Sequence, residues 1–282
     1  MDRRSFLALL GGAVVLGACG GGGGSGAAAS SMVLVPNDWE YFTGGEYRLA
    51  ILLANAKANG APMPLDAPVT IRVGPQNGKL GPPIAMAVHA NGPEPAYALT
   101  TYRFPTAGVY NLEATFKGKT ASLPISVTDP SASATPVVGN KLLAIPTPTA
   151  PTPLGVNPIC TAQPACPFHQ VSLDQSLAAK RPTVLLFATP ALCQSRFCGP
   201  VLSNLQAASK AWLRDVTFIH CEIYTDLSGQ TLTSPAQAFK LEHEPMLYLA
   251  GADGTIKARV DNLFDQDEAR SVLQSIYGAG VS

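Results

Sequence analysis

Residues 183–201 read TVLLFATPALCQSRFCGPV. The run Thr183–Phe187, bounded by Pro182 and Pro190, has the continuous apolar character of a strand buried on both faces. From Val201 the apolar positions Val201, Leu205, Ala208 and Trp212 recur at helical spacing, so a helix follows that packs one face on the sheet. Cys193 and Cys198 lie between the two. Inside one regular helix, residues five apart have Cα atoms about 8.7 Å apart, whereas a disulfide needs less than about 7 Å. Pro200 fits best in a first helical turn, where its missing N–H costs nothing, and this predicts a helix that begins near Cys198. Cys193 then falls in an irregular loop able to fold back on it. At a helix N-terminus the dipole and free N–H groups favour thiolate, with Arg196 close by, so Cys198 is the candidate nucleophile and Cys193 its resolving partner. The reverse assignment stays open: Cys193 opens the helix, Pro200 kinks it, and Cys198 resolves after local unfolding.

Outward from this stretch the C-terminal half alternates strand and helix signals. A short helix is expected around Leu173–Ala179, and VTFIHCEIY (216–224) reads as a second central strand, with Cys221 a buried, inert thiol on it. Ser234-Pro235 gives an N-cap with proline at the first helical position, for a helix through about Leu241. MLYLA (246–250) and TIKARV (255–260) flank the turn signal ADG, and Asp265 to Glu268 has capping-box spacing ahead of Ala269, Val272, Leu273 and Ile276. The order is βαβ, helix, hairpin, helix.

That order, with the cysteine segment after LLF and Glu244-Pro245 before the hairpin, makes residues from about 171 to 277 resemble the thioredoxin superfamily. CGPV (198–201) looks like that family's CGPC with valine for the second cysteine. The resemblance implies an α/β thioredoxin-like fold, a cis Glu244–Pro245 bond beside the redox cysteine, thiol–disulfide exchange with protein thiols or disulfides and a redox partner, and no cofactor. Two departures stand out: the cysteines are not spaced C-x-x-C, and Leu186 occupies the place of the family's buried acidic residue, which argues against a general reductant.

Three rival readings remain. TPALCQSRFCG (189–199) is similar to the T-P-G-C-x4-C-G segment of bacterioferritin-comigratory-type peroxiredoxins, although Thr189 and Pro190 lie one residue too far from Cys193. Copper handling as in Sco-type proteins would use the two cysteines and a distant histidine such as His243. A binding module holding only a structural disulfide is the non-enzymatic reading.

Cys160 and Cys166, in ICTAQPACPFH (159–169), are expected to form a structural disulfide that staples the start of this half. Metal binding with His169 is the weaker reading, because no fourth ligand has recognisable spacing.

The N-terminal half, 32–128, reads as an immunoglobulin-like β-sandwich. YRLAILLAN, PVTIRV, YALTTYRF, VYNLEATF and ASLPISV are short strand candidates separated by turn signals. In PTAGVYNLEATF, Tyr110 at the start of a strand resembles the tyrosine corner of that fold. Between the halves, residues 129–158, including IPTPTAPTP, have the composition of an extended semi-rigid spacer, and the second domain is expected over 159–282.

At the other end, Arg3 and Arg4 precede an apolar run, Phe6–Ala18, too short to span a bilayer and shaped as a signal h-region. RRSFL resembles a twin-arginine signal and Leu16-Gly17-Ala18-Cys19 a bacterial lipobox, implying an exported protein lipid-anchored through Cys19 with residues 20–31 as a Gly/Ser/Ala tether. The formal charge is zero and basic residues form no block, which excludes a nucleic-acid or polybasic lipid-binding role.

Overall fold

The computed structural model describes residues 31–92 and 94–280. Cys19 and the tether up to Ser30 lie outside the described residues.

Nine strands make the N-terminal half all-β. They are β1 (Met32–Pro36), β2 (Tyr41–Phe42), β3 (Tyr47–Asn55), β4 (Ala61–Pro62), β5 (Val69–Pro75), β6 (Ile84–His89), β7 (Tyr97–Tyr102), β8 (Gly108–Phe116) and β9 (Lys119–Thr128). Their pairing runs β1-β3-β7-β6-β5-β8-β9-β2, with β4 on the side of β3. Strand β6 changes partner along its length: Ile84–Met86 pair with β5 and Ala87–His89 with β7, so it carries the chain between the two layers. The alternation in β8, where Tyr110, Leu112, Ala114 and Phe116 are buried, sends one side chain in two into a core shared with Leu49, Ile51, Leu53 and Ile71.

Tyr110 does close a corner. Its hydroxyl donates to the Thr106 carbonyl at 3.1 Å, with the ring in an edge contact on Phe104. Replacing Tyr110 by phenylalanine keeps the packing and removes the donor, and should cost about 1 kcal/mol in urea unfolding of the full chain. An unchanged midpoint would show that the bond is redundant.

The C-terminal half is built on β10 (Thr183–Phe187), β11 (Thr217–Cys221), β12 (Met246–Ala250) and β13 (Ile256–Asp261), in the order β11-β10-β12-β13. β10 and β11 are parallel; β12 is antiparallel to both β10 and β13. Four helices accompany them: α1 (Leu173–Ala178), α2 (Cys198–Ser209), α3 (Ser234–Ala238) and α4 (Gln266–Tyr277). The period-two alternation sorts them by face. Val184, Leu186, Leu247 and Leu249 pack with Val201 and Leu205 of α2 and Leu273 of α4, while Leu185, Phe187, Ile219 and Tyr248 pack with Leu173 of α1 and Ala236 of α3.

Residues 129–158 carry no regular structure beyond a short 3₁₀ turn at Pro130–Ala132, but the expectation of a spacer is corrected: the segment is a strap laid on the C-terminal half. Ile256 N donates to Asn140 O, Gly139 N to Ile256 O and Leu142 N to Gly254 O, so the strap pairs with the outer side of β13. Leu142 is buried in the same core as Leu173 and Phe239, and Thr147 exchanges bonds with Ser172 and Leu173. Farther on, Ala150 N donates to His169 O and Asn157 N to Thr225 O, and the strap continues beyond residue 158 to His169, where His220 N on β11 donates to Phe168 O. Prolines withhold donors from the segment, but the carbonyls and intervening N–H groups are enough to dock it.

The two halves meet through buried charge. Arg48 on β3 donates from Nε to Glu268 Oε1 at 2.6 Å and from Nη2 to Glu268 Oε2 at 3.0 Å, a bidentate pair with the first turn of α4. Its Nη1 reaches Asp38 Oδ1 at 2.6 Å and the Asp261 carbonyl at 3.2 Å, and Nη2 also reaches the Leu263 carbonyl at 2.7 Å. Burial opposes the Arg48 charge, yet Glu268 and Asp38 outweigh it and hold the guanidinium protonated; burial pushes the Asp38 carboxyl up to about 6 despite that partner. Asn37 pairs its side-chain amide with both the N–H and the carbonyl of Leu263, and the Tyr97 hydroxyl donates to Glu268. The capping box expected at Asp265 is therefore half formed. Asp265 accepts from Glu268 N, but the Glu268 carboxylate is turned away to Arg48 and Tyr97, and Tyr97 Oη accepts the Asp265 N–H in its stead.

Candidate functional site

Helix α2 starts at Cys198 with Pro200 in its first turn, as the sequence predicts. The loop before it coils back: Leu192 N donates to Thr189 O, and Arg196 N to Cys193 O with Arg196 in the left-handed region at φ 64°. This turn brings the Cα atoms of Cys193 and Cys198 to 5.9 Å, and the two are joined as a disulfide. Cys198 N donates to Cys193 Sγ at 3.3 Å. Arg196 itself is exposed and forms no ion pair among the described residues; its part in the geometry is the turn.

Burial separates the two sulfurs. Cys198 is 0 % exposed, sealed beside Val201 and Leu202, while Cys193 is half-buried at the surface of the same cluster. Cys198 is thus the sealed sulfur of the pair and Cys193 the more accessible one, and the start of α2 at Cys198 puts that sulfur at the positive end of the helix dipole.

A group that the sequence reading passed over lies beneath Cys198. The Glu244–Pro245 bond is cis, with Pro245 buried, and Glu244 Oε2 is 3.5 Å from Cys198 Sγ. Burial pushes the Glu244 carboxyl up to about 7, against a hydrogen bond from the Thr189 N–H and with a further push from the charge of Glu222. The pair therefore lies against a carboxyl that changes state near neutrality. Its signal was adjacency to Pro245: whatever precedes that proline is carried to the same place as the proline.

A second constellation forms where the strap crosses β11. Cys160 and Cys166 are free thiols, not the disulfide expected, because each sulfur faces imidazole nitrogen. Cys166 Sγ is 3.3 Å from both His169 Nε2 and His220 Nδ1, Cys160 Sγ is 3.7 Å from His220 Nδ1, and the two nitrogens are 3.2 Å apart. All four side chains are buried. His220 was hidden inside a strand pattern, where an inward polar residue carries no spacing signal. The other nitrogen of His169, Nδ1, is buried with no hydrogen-bond partner among the described residues.

The residues invoked by the rival readings are employed otherwise. Thr189 is 1 % exposed, and its hydroxyl accepts the Ile223 N–H at 2.9 Å, so it does not face a peroxide site at Cys193. His243 stacks on Trp39 at 4.6 Å between ring centroids and belongs to neither cysteine cluster. Cys221 is buried, and burial drives its thiol far above the usual range.

No family model matches the chain, and no curated protein matches it. Among solved structures it is similar to the filamin domain of Lin-41, at 18% identity and TM-score 0.23, with 36% of this chain and 97% of that one covered. It is also similar to the CARDB domain of a Pyrococcus furiosus protein, at 17% identity and TM-score 0.20, with 35% of this chain and 92% of that one covered.

Proposed function

We propose that this chain is an exported, lipid-anchored thiol–disulfide oxidoreductase whose C-terminal half is a thioredoxin-superfamily domain, with Cys193 attacking and Cys198 resolving. The fold part of the reading is supported by the strand order β11-β10-β12-β13, by cysteines at the start of the helix after β10, and by a cis proline directly before β12. One observation carries the chemistry: an accessible sulfur is bonded to a sealed one, which has a carboxyl 3.5 Å away. The anchor at Cys19 and the immunoglobulin-like module would hold this site at a membrane face near its protein substrates and redox partner.

In the reducing direction the Cys193 thiolate attacks one sulfur of a substrate disulfide. A Cys193–substrate bond forms, and the other substrate sulfur leaves as thiolate and takes a proton from water. Glu244 then accepts the Cys198 proton, the Cys198 thiolate attacks Cys193 Sγ, and the second substrate sulfur departs. Two electrons have passed from the protein pair to the substrate. The oxidising direction is the same path reversed, and the relative stability of the two protein forms sets which one prevails. Glu244 would take over the role that Leu186 leaves empty.

Trapping tests the assignment. The Cys198→Ser chain, incubated with oxidised glutathione or a peptide disulfide, should accumulate a stable mixed disulfide at Cys193, identified by peptide mass. Cys193→Ser should accumulate none. Equal trapping by both variants, or trapping by Cys193→Ser alone, would return the attacking role to Cys198, and trapping by neither would leave the disulfide a structural one.

A further inference from the structure

We propose that Cys160, Cys166, His169 and His220 form a closed four-coordinate site for a zinc-type divalent ion, clamping the strap to β11. Zinc takes thiolate sulfur at about 2.3 Å and imidazole nitrogen at about 2.0–2.1 Å, in tetrahedral array. Around one centre those lengths put sulfur and nitrogen about 3.5 Å apart and two nitrogens about 3.3 Å apart. Four of the six edges, at 3.3, 3.3, 3.7 and 3.2 Å, come close to these values, and all four ligand atoms lie within 4.8 Å of one another.

The surroundings of His220 also suit a ligand. His220 Nε2 lies 3.0 Å from the Ala188 carbonyl, which can only accept, so Nε2 carries the proton and Nδ1 presents a lone pair to the cluster. That carbonyl is the outer partner that fixes a ligating histidine. His169 turns Nε2 to the same point. Two thiolates offset the charge of a divalent ion, and a neutral complex suits side chains that are 0 to 6 % exposed. Loading exchanges one ion for two thiol protons. Because all four positions are filled by protein and sealed from solvent, the site has no place for a substrate or catalytic water; it is structural.

Its position makes it a brace for the redox loop. Ala188 is where that loop leaves β10, and Thr161, next to Cys160, accepts the Ala191 N–H at 3.1 Å. Three of the four ligands lie on residues 160–169, which continue the strap, and the fourth on β11, so the ion would fasten the end of that segment to the sheet. The clamp does not depend on the proposed redox activity.

The test measures metal rather than catalysis. The processed chain carrying Cys193→Ser and Cys198→Ser, purified without chelator, should hold one equivalent of zinc. Cobalt should replace it with the thiolate charge-transfer and tetrahedral ligand-field absorption of a site containing two sulfurs. Cys221→Ser should change neither, and Cys166→Ser should bind less than roughly a tenth as much. Since Cys166→Ser alters the core and can unfold the chain, a second arm leaves the cluster intact: in the C193S/C198S chain, the Cys160 and Cys166 thiols should resist alkylation until a chelator is added. A Cys160–Cys166 disulfide in the purified protein, thiols that alkylate equally with and without chelator, or loss of the metal on removing Cys193 and Cys198 would each overturn the proposal. The last outcome would place the ion on the Cys193, Cys198 and Glu244 cluster.

Discussion

Replacing Arg48 by methionine is expected to lower the unfolding free energy by about 3–5 kcal/mol, the cost of stranding buried charge without its partner. Arg48 stands between two buried carboxylates, Asp38 and Glu268, whose side chains are 6% and 4% exposed. Neither has water to fall back on. Removing the cation leaves both uncompensated, one on each half of the molecule. Urea unfolding followed by tryptophan fluorescence checks this, since Trp39 lies in the N-terminal half and Trp212 in the C-terminal half. The loss should shift both halves together, because the guanidinium also donates to the Asp261 and Leu263 carbonyls across the junction. A loss under about 1 kcal/mol, the range of solvated ion pairs, would mean that water reaches the network.

The second large effect is kinetic. Glutamine at position 244 keeps the shape but cannot take the Cys198 proton, so resolution of the mixed disulfide should slow by roughly 10²–10⁴-fold, the usual contribution of a positioned base. With Glu244 in place, the resolution rate should climb as pH rises through about 7, where the carboxyl ionises. In the glutamine variant that inflection should vanish. Stability should move the other way: the folded carboxyl is raised above its unfolded value of about 4.3, so its protonation favours folding fully below that value and the benefit is lost as pH rises through 7. Glu244→Gln mimics the protonated form at every pH. The variant should therefore gain on the order of 3–4 kcal/mol at pH 8 and little at pH 4. A rate profile unchanged by the substitution would remove Glu244 from the chemistry.

Much of this arrangement is legible in the sequence where a local rule governs it. Pro200 marks the first turn of α2 because a proline tolerates few other places in a helix, and that alone puts Cys193 in a loop. Tyr110 marks a corner because its hydroxyl needs a nearby backbone acceptor. Burial is less legible. The helix dipole at Cys198 is a local property, but the sealing of that sulfur beside Val201 and Leu202 is set by packing between distant segments, which local spacing does not report. Glu244 and His220 show the same limit: each acquires its role from a partner distant in sequence, Cys198 in one case and the Cys160–His169 segment in the other. The strap escaped because proline-rich composition reports a chain's stiffness, not what its remaining amides find to bond.

That strap has a consequence for behaviour at high concentration. Both outermost strands of the C-terminal sheet have amide groups turned outward, β13 toward Gly139–Leu142 and β11 toward Phe168. An open strand border is a template on which a second chain can polymerise. Here a single covalently attached segment blunts both borders in turn, so a molecule crowded against its neighbours offers them no raw β seam, and cutting the segment should leave the protein prone to stacking.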